Sequence, residues 1–207
     1  MNNNPFIGIA GNIGVGKTTF TEIVSDYFSW KPIYESVIDN PYLEDFYSNM
    51  DRWSFNLQIY FLNHRFSSQL KLNDISMGFI QDRTIYEDVE IFAKNLHKLG
   101  FISQRDWETY NNLFINMTQF LKTPDLIIYL KAETDTLISR IKNRNRDFEK
   151  ELDIEYLHTL NIAYDKWINN IQDLEILQIE TDNFNIFEDQ DYLSNIYKKI
   201  EKKLNGL

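Results

Sequence analysis

Residues 11–18 follow the pattern G-x-x-x-x-G-K-T, which constrains this chain more than any other feature of its sequence. The pattern comes directly after the apolar stretch Phe6–Ala10 and directly before residues 19–28, whose composition suits a helix. A glycine-rich loop in this setting is a phosphate-binding P-loop, because its backbone N–H groups and the positive end of the helix face the same anion. We therefore expect a nucleoside triphosphate, ATP or GTP, to bind here.

The residues of this loop have distinct expected roles. Lys17 is expected to bring a positive charge to the β- and γ-phosphates, and the Thr18 hydroxyl is expected to bind magnesium. Glycine allows the backbone to wrap around a polyphosphate. The predicted triphosphate-binding residues are Gly11, Asn12, Ile13, Gly14, Val15, Gly16, Lys17, Thr18 and Thr19.

The composition indicates one folded domain that does not bind polymeric nucleic acid. The chain is 43% hydrophobic, and no linker or repeat divides residues 1–207. Its 31 acidic and 21 basic residues give a charge of −10, which repels a phosphate backbone. There is no cysteine, no signal-peptide pattern and no apolar run near the ~20 residues of a membrane span. We expect a cytoplasmic protein without a membrane or nucleic acid partner.

Short apolar segments alternate with helical patterns along the chain. The predicted strands are residues 6–10, 32–35, 78–82, 126–131 and 175–180. The predicted helices are residues 17–27, 52–72, 85–99, 104–121, 134–142, 154–171 and 186–204. This alternation predicts an α/β fold in which a five-stranded parallel sheet is flanked by helices.

Charged residues stand at the carboxyl ends of two predicted strands, where open parallel sheets bind their ligands. The second strand ends at Glu35, and the third ends at Asp82, which Arg83 follows directly. A carboxylate can accept the proton of a hydroxyl group, and an arginine can neutralise charge on a migrating phosphoryl group. Together with the P-loop, these residues predict a small-molecule kinase.

Positive charge is concentrated between residues 140 and 150, where five basic residues stand against two acidic ones. Without a P-loop, such a segment would be interpreted as a solvated helix face. With a triphosphate to neutralise, an arginine-rich lid is the better interpretation. Its expected ATP-binding residues are Arg140, Arg144 and Arg146.

Several motifs, in the same order, resemble the deoxynucleoside kinase family, which includes deoxycytidine kinase and the bacterial deoxyadenosine and deoxyguanosine kinases. These motifs are residues 11–19, the pair Tyr34-Glu35, Tyr47 with residues 52–58, residues 82–88 followed by 91–93, and Arg140, Arg144 and Arg146 with Glu149. The resemblance covers nearly the whole chain. It implies a P-loop nucleoside kinase with a lid, which transfers the γ-phosphate of ATP to the 5′-hydroxyl of a deoxynucleoside with the help of Mg²⁺. It also implies a homodimer.

The resemblance implies roles for single residues as well. Glu35 matches the base for the sugar 5′-hydroxyl, and Arg83 matches the arginine that holds this hydroxyl and the phosphate. Asp82 matches an acidic residue near magnesium and remains a second candidate for the proton acceptor. The other matches are substrate-binding residues: Tyr47 and Glu149 at the sugar 3′-hydroxyl, Gln58 at the base edge, Phe92 stacked on the base, and Arg65 with Asp88, a charged pair found in members that take cytosine or purine bases. The loop around the adenine of ATP is expected near residues 181–184.

The chemistry of Arg65 and Asp88 favours particular bases. A charged carboxylate only accepts hydrogen bonds, and a guanidinium only donates them. This pair suits a base with an exocyclic amine beside a ring acceptor, as in adenine and cytosine, and guanine satisfies the arginine through O6 and N7. Thymine would leave the carboxylate facing a carbonyl oxygen. We therefore expect a purine deoxynucleoside, with deoxycytidine as a further acceptor.

Two other functions compete with this interpretation. A nucleoside monophosphate kinase, such as a thymidylate kinase, also has an Asp-Arg pair after a strand. That enzyme needs extra arginines for the acceptor's phosphate, and the strand-two segment Tyr34-Glu35-Ser36 has none. A GTP-binding switch would need an Asn-Lys-x-Asp motif, which does not occur in the 207 residues. The sequence favours an uncharged acceptor.

Overall fold

The computed structural model describes residues 4–34, 40–72, 76–146, 149 and 152–206. Within these ranges, five parallel strands form one sheet in the order β2-β3-β1-β4-β5. The strands are β1 Phe6–Ala10, β2 Lys31–Ile33, β3 Phe79–Asp82, β4 Leu126–Lys131 and β5 Ile176–Glu180. The predicted α/β fold with a five-stranded parallel sheet is confirmed.

The helices lie between and after the strands. They are α1 Lys17–Phe28, α2 Leu43–Ser48, α3 Met50–Leu70, α4 Ile85–Glu87, a π-helical segment Asp88–Ala93, α5 Lys94–Lys98, α6 Gln104–Thr118, α7 Thr134–Arg144, α8 Ile154–Asn170 and α9 Gln190–Leu204. The predicted helix bounds agree with these to within about one turn. The sequence analysis missed α2, and it treated residues 85–99 as one regular helix.

Successive side chains of a strand point to opposite faces of the sheet, so the strands contribute to two cores, one on each face. Ile7 and Ile128 belong to the core that α1, α7 and α9 cover, whereas Ile127 and Tyr129 belong to the core that α3, α6 and α8 cover. Strands buried on both faces are apolar along their whole length, which explains why β1 and β4 were recognisable as continuous apolar runs. In the described part of the chain, no helix combines the length and the apolar content that crossing a membrane requires.

The segment after β3 brings charged residues to the end of the sheet. Arg83 continues the ladder, because its backbone N–H donates to Ile9 O at 3.0 Å. Thr84 then begins α4 with a capping box, in which the Glu87 side chain accepts from the Thr84 backbone N–H at 3.0 Å. The π-helical segment Asp88–Ala93 follows directly, and π-turns of this kind are frequent at functional sites.

Candidate active site

A cavity of about 610 Å³ lies where β1, β2 and β3 end. Its lining includes P-loop residues after β1, Tyr34 after β2 and Arg83 after β3. This is the edge at which open parallel sheets bind ligands. The cavity brings together most of the predicted site residues: Ile13, Gly14, Gly16, Lys17, Thr18, Thr19, Tyr47, Gln58, Arg83, Asp88, Phe92, Arg140, Arg144, Arg146 and Glu149.

The remaining predicted residues are found elsewhere. Glu35, the predicted proton acceptor, lies outside the described residues, so its role stays a prediction. Five other predicted residues do not line the cavity. Each of them either contacts a residue that lines the cavity or supports the P-loop: Gly11, Asn12, Val15, Arg65 and Asp82. The catalytic and binding roles of all the predicted site residues, including those that line the cavity, remain predictions.

The P-loop has the backbone that its glycines permit. Gly11 has φ 151° and Gly14 has φ 85°, values that side-chain-bearing residues rarely adopt. A Cβ atom would lie 2.7 Å from Leu130 O at the first position and 2.7 Å from Ile141 Cγ1 at the second. The loop can follow this path only with glycine at both positions.

Lys17 and Asn12 hold the loop in shape. Lys17 is buried, and its Nζ donates to Gly11 O at 2.8 Å and to Asn12 O at 3.1 Å. The Asn12 amide donates to Leu157 O at 3.0 Å and to Asn161 Oδ1 at 2.7 Å, which ties the loop to α8. Lys17 therefore brings its charge to a loop whose position α8 fixes.

Thr18 and Asp82 provide oxygen atoms beside the P-loop. Thr18 Oγ1 donates to Asp82 Oδ2 at 2.6 Å, and the Asp82 side chain is buried. Among the described residues, no group of three or more His, Cys, Asp or Glu side chains could hold a metal ion alone. Mg²⁺ at a nucleotide needs only one or two protein oxygens, since phosphates and water supply the other ligands. The chemistry of this pair fits such a site.

Arg83 is held in an unusual conformation at the cavity wall. Its φ of 67° is left-handed, a strained conformation for an arginine, and strain of this kind clusters at functional sites. Its Nη1 donates to Tyr164 Oη at 2.8 Å, and its Cζ lies 4.3 Å from the centroid of the Phe92 ring. A cation–π contact of this kind favours a fixed guanidinium. Phe92, the predicted stacking platform for the base, thus also supports Arg83.

Gln58 contributes a buried amide to the cavity. Its side chain is 2% exposed, and its Oε1 receives no hydrogen bond from the part of the chain that the structure describes. Buried polar atoms in native proteins nearly always have partners, so this oxygen is suited to a donor on a bound ligand. The position agrees with the expected contact to a base edge.

Arg65 and Asp88 form a buried ion pair at the inner end of the cavity. Arg65 Nε donates to Asp88 Oδ2, and Arg65 Nη1 donates to Arg83 O at 3.0 Å. Only Asp88 of the pair lines the cavity. The arginine therefore fixes the carboxylate and joins it to the end of β3.

The basic segment contains two different arrangements. Arg140 Nη1 donates to Val15 O at 3.2 Å and to Thr181 Oγ1 at 3.1 Å, so it joins the P-loop to the residue after β5. Partial burial lowers the pKa of Arg140 from its ordinary value. Arg144 pairs with Glu149 instead, with Nε 3.0 Å from Oε2. Glu149, the predicted ligand of the sugar 3′-hydroxyl, is thus already held by an arginine of the predicted lid.

A second cavity of about 370 Å³ shares Gly16, Thr19 and Arg140 with the first. It extends past Thr181 to Phe184 and Phe187, which have aromatic rings. An apolar space beside a P-loop suits the base of a bound nucleotide. This position agrees with the predicted adenine loop near residues 181–184, whose role stays a prediction.

The sequence analysis missed several residues of the site. Tyr156 lines the cavity, and burial raises the pKa of its hydroxyl, with Tyr47 adding to the shift. Tyr156 and Tyr164 both lie in the apolar stripe of α8, which is indistinguishable in sequence from a core stripe. Leu43 and Phe46 line the cavity from α2, the helix that was not predicted.

Known proteins match this chain over almost its whole length. A family model described as deoxynucleoside kinase matches residues 7–205. The chain is 37% identical to the deoxyadenosine/deoxycytidine kinase of Bacillus subtilis, a match that covers 95% of this chain and 92% of that protein. It is 41% identical to the deoxyadenosine kinase of Dictyostelium discoideum, with 93% of this chain and 77% of that protein covered.

A solved structure with a similar fold adds to these matches. It is that of deoxyadenosine kinase from M. mycoides with the products dCMP and a flexible dCDP bound. The two folds agree with a TM-score of 0.83 at 31% sequence identity, and the match covers 94% of this chain and 99% of that chain.

Proposed function

This chain belongs to the deoxynucleoside kinase family, and we propose that it transfers the γ-phosphate of ATP to the 5′-hydroxyl of a purine deoxynucleoside, with deoxyadenosine as the preferred acceptor. One observation carries the proposal. The same cavity contains the P-loop lysine, the strained Arg83 and a buried pocket lined by Gln58, Asp88 and Phe92. A phosphate donor and an acceptor with a planar polar base can therefore meet in it.

The proposed chemistry assigns roles to charged residues predicted from the sequence, of which Lys17 and Arg83 line the cavity. Lys17 neutralises the β- and γ-phosphates, and Arg83 stabilises the charge on the phosphoryl group during its transfer. Glu35 accepts the proton of the 5′-hydroxyl, with Asp82 as the second candidate. Thr18 and Asp82 would hold Mg²⁺, which would supply further neutralisation of phosphate charge.

The polar atoms of the pocket support an amino-bearing base. Gln58 Oε1 is a buried acceptor, and the carboxylate of Asp88 only accepts hydrogen bonds. An exocyclic amine, as in adenine, can donate to Gln58 Oε1, and it faces in Asp88 a carboxylate that Arg65 already holds. The carbonyl oxygen of thymine would add another acceptor at the same position, which costs ~1–3 kcal/mol for each buried group that loses a partner.

Two further features belong to the proposal. Residues 1–207 act as one domain, and two copies form a homodimer, as the family resemblance implies. Size-exclusion chromatography with light scattering measures the mass in solution. A mass near twice 24.8 kDa supports the dimer, and a mass near 24.8 kDa contradicts it.

A panel of acceptors tests the substrate class. The purified protein is incubated with ATP and each of the four deoxynucleosides, and kcat/KM is measured for each. We expect deoxyadenosine to be phosphorylated at least about tenfold more efficiently than thymidine, because a thymine carbonyl supplies no donor to the buried Gln58 Oε1. If thymidine is the best acceptor, the proposed base preference is wrong.

Replacing the buried pair tests the origin of this preference. In the double variant Asp88→Ala with Arg65→Met, the ratio of thymidine to deoxyadenosine efficiency is expected to rise about tenfold. Both charges must be removed together, because one charge left buried alone is strongly destabilising. The measurement is kcat/KM for both acceptors.

The double variant Glu90→Ala with Lys94→Ala is the matched control. It removes an ion pair from the same region of the chain, but these side chains are 39% and 41% exposed and do not line the cavity. The acceptor ratio is expected to stay unchanged in this control. An unchanged ratio in the buried-pair variant as well would show that other residues select the base.

A further inference from the structure

Glu87 is a fully buried carboxylate at the end of α4, and it has no role in the proposed binding of ATP or deoxynucleoside. Its Oε2 accepts from the Thr84 backbone N–H at 3.0 Å. Its Oε1 accepts from the Gly11 backbone N–H at 3.2 Å and from Tyr164 Oη at 2.8 Å. One carboxylate therefore contacts the first glycine of the P-loop, the turn after β3 and helix α8.

Tyr164 connects this carboxylate to Arg83. The tyrosine side chain is fully buried, its hydroxyl accepts from Arg83 Nη1 at 2.8 Å, and the same hydroxyl donates to Glu87. Burial raises the pKa of this hydroxyl, so it keeps its proton and remains a donor to the carboxylate. Glu87 Oε1 also lies 3.7 Å from Arg83 Nη1. The guanidinium is thus restrained by the Tyr164 hydroxyl and by the Glu87 carboxyl oxygen behind it.

A buried carboxylate is costly, and Glu87 is compensated by its neighbours. Burial raises the pKa of Glu87 above its ordinary value, whereas the charges of Arg83 and Lys17 and the hydrogen bonds to Thr84 and Tyr164 oppose the shift. A core of this kind could be filled by apolar side chains at lower cost. The contacts that link Glu87 to Gly11 and, through Tyr164, to Arg83 indicate why a carboxyl group occupies this position.

We propose that Glu87 and Tyr164 are positioning residues that hold the Arg83 guanidinium in the cavity wall and fix its distance from the P-loop. The inference rests on the proposed function, in which Arg83 stabilises the transferring phosphoryl group while the P-loop holds the donor. The Gly11 N–H of the P-loop donates directly to Glu87 Oε1, and Arg83 is joined to the same oxygen through the Tyr164 hydroxyl. A small displacement of Arg83 against the phosphate would slow transfer strongly, because the reaction depends on alignment.

The variant Tyr164→Phe tests this role, since it removes only the bridging hydroxyl. We expect kcat to fall about tenfold, with KM for ATP and for the deoxynucleoside changing less than about threefold, because the restraint acts on the transition state. The variant Glu87→Gln keeps the shape of the side chain and replaces the carboxyl group by an amide. It is also expected to lower kcat while changing KM little. Thermal denaturation of each variant checks that it is folded.

The variant Tyr129→Phe is the matched control. Its ring stacks on that of Tyr164 at 5.7 Å, and its hydroxyl donates to Asp165 at 3.2 Å. It therefore loses one tyrosine hydroxyl next to the same helix without losing a contact to Arg83. We expect kcat of this control to stay within about twofold of the unmodified protein.

A double-mutant cycle separates positioning from general loss of structure. In a protein that already carries Arg83→Gln, removal of the Tyr164 hydroxyl is expected to lower kcat no further, because the group that it positions is gone. The inference would be overturned if Tyr164→Phe lowered kcat by the same factor in the presence and in the absence of Arg83. It would also be overturned if Tyr164→Phe and Tyr129→Phe had equal kcat values. Failure of the proposed function is a different result, in which the unmodified protein itself phosphorylates no deoxynucleoside.

Discussion

The variant Lys17→Ala is expected to lose roughly 10³-fold in kcat while keeping its fold. In the proposed mechanism this buried lysine brings a positive charge to the β- and γ-phosphates, and alanine supplies no charge in its place. Its removal also leaves the carbonyl groups of Gly11 and Asn12 without this donor, which costs ~1–3 kcal/mol of stability. Single-turnover assays with saturating ATP measure the chemical step, and circular dichroism measures the fold.

The variant Lys94→Ala is the control for this experiment. Lys94 forms an exposed ion pair with Glu90 at 2.7 Å, so its removal is expected to change kcat by less than about twofold. A folded Lys17→Ala protein with nearly normal turnover would contradict the kinase mechanism, because a P-loop kinase cannot operate without charge at the terminal phosphates.

The variant Arg83→Gln is expected to reduce kcat by ~10²- to 10³-fold, with a much smaller change in KM for ATP. Arg83 is buried, is strained at φ 67° and is supported by Phe92 and Tyr164, so protein contacts fix the orientation of its guanidinium. A fixed charge of this kind stabilises the transition state without reorganisation. Steady-state kinetics with ATP and deoxyadenosine measure the effect.

Arg105→Gln is the matched substitution for Arg83→Gln. The Arg105 side chain is 91% exposed and lies 4.0 Å from Asp106, away from the cavity. We expect its kinetics to equal those of the unmodified protein. If Arg83→Gln raised KM and left kcat unchanged, Arg83 would be a binding residue, and the positioning role of Glu87 and Tyr164 would lose its basis.

Strands β1, β3 and β4 were predictable because each is a short run that is buried on the sheet. The prediction for β2 was less accurate: residues 32–35 were predicted, whereas β2 is Lys31–Ile33, which is exposed at its first residue and only half-buried after it. Predicted residues 6–10 and 126–131 coincide with β1 and β4, and β3 and β5 each begin one residue later than predicted. Helix α2 was not predictable in this way. A helix of six residues, Leu43–Ser48, is too short to establish a period of 3.6 residues.

The π-helical segment Asp88–Ala93 illustrates a second limit. Its residues fit the apolar pattern of the helix predicted over 85–99, and the sequence has no signal for the wider turn. Packing against α3 and α8 is a tertiary effect that the local pattern does not contain. The consequence for the site is direct, because Asp88 and Phe92 both line the cavity from this segment.

The site was predictable where residues follow a motif and unpredictable where contacts join distant segments. Lys17, Arg83 and Asp88 were named because the P-loop and the family resemblance mark their positions. The hydrogen bond from Gly11 to Glu87 joins residues 76 positions apart, and that from Arg83 to Tyr164 joins residues 81 positions apart. The parallel pairing of β1 with β3 brings Gly11 to Glu87, and the packing of α8 against the π-helical segment brings Tyr164 to Arg83.

The transfer of labelled phosphate tests the central claim most directly. The purified protein is incubated with Mg²⁺ and ATP that is labelled at the γ-phosphate, and with deoxyadenosine, 2′,5′-dideoxyadenosine or deoxyadenosine 5′-monophosphate as acceptor. We predict that the label appears only with deoxyadenosine, as its 5′-monophosphate, because the second compound lacks the accepting hydroxyl and the third already carries the phosphate. Labelling of the monophosphate instead, or no transfer to deoxyadenosine by the folded protein, would contradict the account.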